Sequence, residues 1–144
     1  MSVVTEESAI ISKTKDLCQS ILDSAEYNAL MGNVENFLSN DEARLLYQTV
    51  HERSEELREK QRAGVELGQA EIEAFKEVRG QMEKNEVVMD FMLAQDELQK
   101  VQSFISKYVG MTLEYGRMPT DEDLEALENG GCCGGGCGGG GGCG

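Results

Sequence analysis

One run of apolar residues constrains this chain more than anything else in it. Val87, Phe91, Ala94, Leu98, Val101, Ile105, Tyr108 and Thr112 follow one another at alternating steps of four and three. Sustained over more than three heptads, that spacing places all eight on one face of a helix and has the pattern of a coiled-coil seam. It predicts a single helix from Glu86 to Gly116, on the order of 45 Å long at about 1.5 Å per residue. Val88, Met92 and Val109 widen the stripe, so the helix is expected to pack against both its own chain and a second copy. Phe91, Leu98, Val101, Ile105 and Tyr108 are the expected oligomer contacts.

The preceding residues supply shorter helices. Ile10, Ile11, Thr14, Leu17, Cys18, Ile21 and Leu22 line one helical face, with Cys18 expected as a small buried hydrophobe. Asp23 and Glu26 have capping-box spacing and predict a second helix beginning near Ser24, carrying Tyr27, Leu30, Met31, Val34, Phe37 and Leu38. Ser39, three residues before Glu42, predicts the cap of a third, with an inner face of Ala43, Leu46, Tyr47, Val50, Leu57 and Gln61 and a stop at Gly64. A fourth carries Ile72, Phe75, Val78 and Met82, and Asn85 either ends it or caps the long helix. Pro119 disfavours helix in the residue before it, and Thr120 with Asp123 predicts a two-turn acidic helix from Asp121 to Glu128. The expected architecture is all-α. A small helical bundle with one long C-terminal helix occupies residues 1–118, a short acidic segment 119–129, and a flexible Gly/Cys tail 130–144. The absence of Trp and the single Pro agree with it.

Composition narrows the function. Thirteen Lys and Arg against 27 Asp and Glu leave a net charge of −14, which disfavours direct binding to a nucleic-acid backbone. No apolar run is long enough for a signal peptide or a membrane span, so a cytoplasmic protein without membrane contact is expected. No nucleophile elbow, phosphate-cradling loop or metalloprotease signature occurs, and the single His, His51, sits beside the apolar face of the third helix as a surface or boundary residue. The acids from Glu52 to Glu59 interleave with Arg53, Arg58, Lys60 and Arg62, as on a solvated helix face. A non-enzyme is expected. The run from Asp121 to Glu128, with five acids and no base, is a solvated face or a dock for a basic partner.

The tail carries the unusual chemistry. Cys132, Cys133, Cys137 and Cys143 lie among glycines in the last thirteen residues, without the spread of a disulfide framework and as expected of thiols in a reducing compartment. Four soft thiolates can complete an iron–sulfur cluster or, alternatively, a tetrahedral zinc site. Their spacing matches neither paired CxxC nor a ferredoxin run. Ordering the twelve residues from Cys132 to Cys143 costs roughly 12–24 kcal/mol, against about 10–16 kcal/mol returned by a structural zinc. A metal held by this tail alone is therefore expected to be labile or to leave parts of the tail mobile, and ligands from a second chain or a partner would help. A tail of idle thiols with no cofactor, and a redox switch, are the other readings. If the tail is the active part, the chain is a metal or sulfur carrier.

From Lys13 to Pro119 the chain resembles the YlbF/YmcA family of small all-helical bacterial regulators. The likeness rests on SAEYNAL at 24–30, NDEARLLY at 40–47, KQRAG at 60–64 and NEVVMDFMLAQDELQKVQSFISKYV at 85–109, and above all on their order and spacing. The resemblance implies a non-catalytic adaptor that forms homo- or hetero-oligomers through long helices. It further implies association with a YaaT-like protein in a complex that carries iron–sulfur clusters and influences an RNase Y-like endonuclease, so that any RNA role is indirect. Ligation of such a cluster by the four tail cysteines is inferred from their chemistry alone.

Overall fold

The computed structural model describes Thr5 and residues 8–129. Cys132, Cys133, Cys137 and Cys143, and with them every expectation for the Gly/Cys tail, lie outside the described residues. Among those described there are six helices and no strand: α1 (Ala9–Asp23), α2 (Ala25–Leu38), α3 (Asp41–Arg62), α4 (Gln69–Glu83), α5 (Glu86–Tyr115) and α6 (Asp121–Asn129). The all-α expectation holds. Two compact units are distinguished, one up to Lys100 and one from Val101 onward.

The helices begin and end where local chemistry satisfies their free backbone groups. Ser8 caps α1, its hydroxyl accepting from the Ile10 N–H at 3.2 Å. Ser24 closes α1 and caps α2, accepting from the Tyr27 N–H at 3.3 Å while donating its own hydroxyl proton to Glu26. The second helix thus starts near Ser24 as expected, but the cap is Ser24 itself, and Asp23 is the last residue of α1. A similar shift of one residue occurs before α3. Ser39 has helical backbone angles (φ −89°, ψ −6°) and belongs to the end of α2. Asn40 is extended (φ −105°, ψ 102°) and its side chain accepts from the Ala43 N–H at 2.9 Å, so the cap is Asn40 rather than Ser39.

Gly64 stops α3 as predicted. Its φ of +71° turns the chain left-handed, letting its N–H reach the Gln61 carbonyl (3.1 Å) and the Val65 N–H reach Lys60 (2.9 Å), the paired bonds of a Schellman motif. On the far side of the turn, the Glu71 carboxylate accepts the N–H of Gly68, the cap of α4, and also pairs with Lys60. Those two partners hold the Glu71 carboxyl below the usual carboxylate range, Lys60 contributing most. Asn85 resolves as the cap of α5, accepting from the Val88 N–H at 3.1 Å.

The first unit is built around one small core. Phe37 from α2, Ala43 and Val50 from α3, Met82 from α4, and Val88 and Phe91 from α5 are buried together, with Val34, Leu46, Tyr47, Phe75, Val78 and Val87 packed around them. Its centre is aromatic: Phe37 and Phe91 stack at 3.8 Å, and Tyr47 meets each ring edge-on at 5.5 Å, arrangements that add to simple area burial. Helices α3 and α4 form an antiparallel hairpin. Leu57 and Lys60 lie near Glu71 and Phe75 at its closed end, and Leu45 and Leu46 near Gln81 and Lys84 at the other.

Three expectations fail at the edges of this core. Leu38 and Gln61, placed on inner faces by their spacing, are exposed. Cys18 is exposed too, not a buried hydrophobe. The whole apolar face of α1 shares its situation: no residue of that helix is buried, and Ile10, Leu17 and Leu22 all face water. Spacing shows which side of a helix is apolar, but a neighbour has to arrive for that side to become core.

Candidate interaction surface

In α5 the seam read from the sequence has two environments. Phe91 and Ala94 are buried, and Val87 is half-buried against the core. Phe91 was among the expected oligomer contacts, but its ring lies inside its own chain's core at 7% exposure and has almost no surface left for a second chain. Beyond it, Leu98, Ile105, Tyr108 and Thr112 are half-buried and Val101 is 44% exposed. The expected contacts therefore divide, with Leu98, Val101, Ile105 and Tyr108 on one accessible stripe and Phe91 apart from them.

More apolar surface accompanies the stripe. Phe104 (58% exposed), Val109 (52%), Leu113 (81%) and Tyr115 are all exposed on the same stretch of helix, and Phe104 lies against Tyr108 with ring centroids 5.4 Å apart. The seam pattern passed over Phe104 and Leu113 and was read only as far as Thr112, one step short of Tyr115. Their signal was the surplus of large apolar residues on α5 beyond the number one seam needs. Among the described residues fifteen large hydrophobic side chains are exposed, against eight hydrophobic residues buried. Scattered exposed leucines need no explanation, but a contiguous apolar stripe marks an interaction surface.

Charge is nearly absent from this stretch. Between Val101 and Leu113 the only Lys, Arg, Asp or Glu is Lys107. Just before it, Lys100 is clamped by Asp96 (2.9 Å) and Glu97 (2.8 Å), whose carboxylates raise the pKa of its ammonium. Just after it, Gly116 (φ +66°) ends α5, its N–H returning to Thr112 at 3.0 Å. Thr120 and Asp123 form the predicted capping box of α6. The Thr120 N–H donates to the Asp123 carboxylate at 2.9 Å, and the Asp123 N–H donates to the Thr120 hydroxyl at 3.3 Å. Arg117 stacks over Tyr115 and pairs with Asp123 at 2.8 Å, holding that carboxyl well below the usual carboxylate range. The remaining acids of α6 are exposed, except that Asp123 is half-buried within its ring of partners.

No other feature of the described residues gathers chemistry. His51 is exposed and tilted against Tyr47 at 4.4 Å, the boundary position expected of it. The two grooves beside the α3–α4 hairpin are lined by carboxylates, amines, amides and aliphatic or aromatic side chains. Among the described residues no three His, Cys, Asp or Glu side chains are grouped to hold a metal ion. Nor is any described helix long and apolar enough to cross a membrane.

Neither a curated protein nor a solved structure matches the chain. A family model does, over residues 10–114, which takes in α5 almost to its end; its description reads control of competence regulator ComK, YlbF/YmcA. This all-helical chain, with its long apolar-striped helix, belongs to the YlbF/YmcA family.

Proposed function

We propose that this protein is a non-catalytic regulatory adaptor that assembles with other proteins through helix faces. The observation that carries the reading is the apolar stripe of α5, where Val101, Phe104, Val109 and Leu113 stay exposed on a stretch almost without charge. Family membership supports a regulatory role, since the family is described by its control of a competence regulator. Partners of the YaaT-like and RNase Y-like kinds fit this reading, the adaptor acting on RNA processing through a protein and not by gripping RNA. A net charge of −14 agrees with such an indirect role.

The four tail cysteines complete the proposal. Cys132, Cys133, Cys137 and Cys143 form a donor set of soft thiolates, suited to an iron–sulfur cluster and, as the alternative, to zinc. The tail's glycines offer little preorganisation, which favours a cluster completed within a complex. The test is anaerobic purification of the full chain, alone and with a YaaT-like protein, followed by visible absorption and iron, sulfide and zinc analysis. The same measurements are made after changing all four tail cysteines to Ser. Iron and sulfide retained only by the wild-type chain support the adaptor with a cluster. Zinc that passes to an acceptor chelator supports the carrier reading instead. Wild-type and substituted chains that are equally empty, alone and in complex, remove the cluster from the proposal.

A further inference from the structure

The open apolar face of the second unit ends in unbalanced negative charge. Between Val101 and Asn129 stand six acids, Glu114, Asp121, Glu122, Asp123, Glu125 and Glu128, against two bases, Lys107 and Arg117. Arg117 is taken up by Asp123. Among the described residues no ion pair neutralises any of the other five carboxylates. Arg117 also fixes where the acids begin. Its guanidinium lies over the Tyr115 ring at 5.4 Å while it holds Asp123 at 2.8 Å, which ties the first turn of α6, with Asp121 and Glu122, to the C-terminal end of the α5 stripe. The last carbonyls of α5 add negative partial charge at the same end, where the final turn of the helix carries no basic residue.

We propose that the occupant of this face is a basic amphipathic helix of another protein, with apolar residues at three-and-four spacing and Lys or Arg on its flanks and at the end that meets α6. The proposal rests on the reading of α5 as an assembly surface and names the chemistry of the partner. A helix fits because Val101, Phe104, Val109 and Leu113 present a helical surface about 18 Å long, whose ridges and grooves another helix can match. An extended peptide would find no strand edge there to satisfy its backbone N–H and C=O groups. Charge complementarity selects the basic kind. Unpaired carboxylates attract Lys and Arg and repel the phosphates of RNA or of an anionic bilayer. A second copy would bring the same five carboxylates, with Lys107 as the one base of this unit left to meet them among the described residues.

The area makes charge matter. Phe104 and Leu113 are the most open of the four apolar side chains, and Val101 and Val109 are about half exposed. At roughly 150–250 Å² for a large side chain, the open apolar area is on the order of 400 Å², the low end for one side of a specific interface. Apolar contact alone therefore gives weak binding, and the carboxylates add an attraction that salt screens.

The experiment titrates the full chain, under reducing conditions and at about 0.1 M salt, into three fluorescently labelled synthetic peptides of about 18 residues, long enough to cover the stripe as a helix. The first is an amphipathic helix of Leu, Ala and Lys, the second replaces each Lys by Glu, and the third scrambles the first so that its apolar face is lost. Fluorescence anisotropy should show the first bound about tenfold or more tighter than either of the others. Phe104→Gln with Leu113→Gln, both at exposed positions, should weaken that binding about tenfold or more with unchanged circular dichroism. Asp121→Asn with Glu122→Gln and Glu125→Gln, which leaves the Arg117–Asp123 pair in place, should weaken it severalfold and flatten its salt dependence. A scrambled peptide bound as tightly as the first overturns the proposal, since charge alone would then explain the binding. So does a Glu peptide bound as tightly as the Lys one, or binding indifferent to the Phe104 and Leu113 changes. If no peptide binds but the chain still binds a YaaT-like protein, and loses it in the Phe104 and Leu113 variant, the basic helix is overturned and the adaptor reading stands. If neither the peptides nor such a protein bind, both fall.

Discussion

Phe91 anchors α5 in the core of the first unit, and its truncation is the sharpest test of that placement. The ring is 7% exposed, stacked on Phe37 at 3.8 Å and nearly parallel to it, with Tyr47 edge-on at 5.5 Å. Phe91→Ala removes a ring from a core of six buried side chains, and core Phe→Ala changes destabilise by about 3–5 kcal/mol. Against a total stability of roughly 5–15 kcal/mol, that is a large fraction. Phe91→Leu keeps most of the volume and removes two ring contacts worth about 0.5–1.5 kcal/mol each, so about 1–3 kcal/mol is expected. Urea unfolding followed by far-ultraviolet circular dichroism measures both, at a protein concentration low enough for the single chain to dominate. The loss should not change with protein concentration, because Phe91 meets its partners within one chain. A loss below about 1 kcal/mol for Phe91→Ala, outside the range for core truncation, would refute the placement. So would a loss that appears only where oligomers form.

Three further outcomes follow from local geometry. Asn40→Ala should lower stability by about 1 kcal/mol and Ser39→Ala by much less, because Asn40 accepts from the Ala43 N–H and Ser39 does not; paired urea titrations compare them. Gly64→Ala should destabilise by about 1–2 kcal/mol in the same assay, because its φ of +71° is left-handed and costs an L residue that much. Asp123 has a folded-state pKa depressed mainly by Arg117 and then by the Thr120 N–H. Its contribution to the α6 cap is therefore present above the unfolded value of about 3.9 and lost as pH falls through the folded one. Carboxyl carbon NMR should show Asp123 still ionised below the unfolded carboxylate value of about 3.9, and Arg117→Gln should raise its titration.

Much of the helical layout was legible because helices obey local rules. Gly64, Asn85, Thr120 and Asp123 terminate or cap the elements at their expected positions, since each acts on backbone groups within a few residues. The third-helix cap was read one residue early for a physical reason. Ser39 and Asn40 can both accept an N–H, and the choice lies in backbone angles, helical at Ser39 and extended at Asn40. The candidate surface was legible in part. Leu98, Val101, Ile105 and Tyr108 declared themselves by spacing, whereas Phe104 and Leu113 lie off that spacing and emerged only through their exposure.

What the sequence by itself determined is the set of helices, their approximate ends and the side of each that is apolar, because periodicity and capping are properties of neighbours along the chain. It determined also the near-absence of charge from Val101 to Leu113 and the acidity that follows. Only the tertiary structure decided which apolar faces are covered. The faces of α1 and α3 read alike, yet Ala43 and Val50 are buried while Cys18, Leu17 and Ile10 are exposed. Along α5 one unbroken pattern passes from Phe91 inside the core to Val101 in water. Hydrophobic burial is non-directional and acts between segments distant in sequence, so a stripe of apolar residues carries the same signature whether its own chain covers it or a second molecule must.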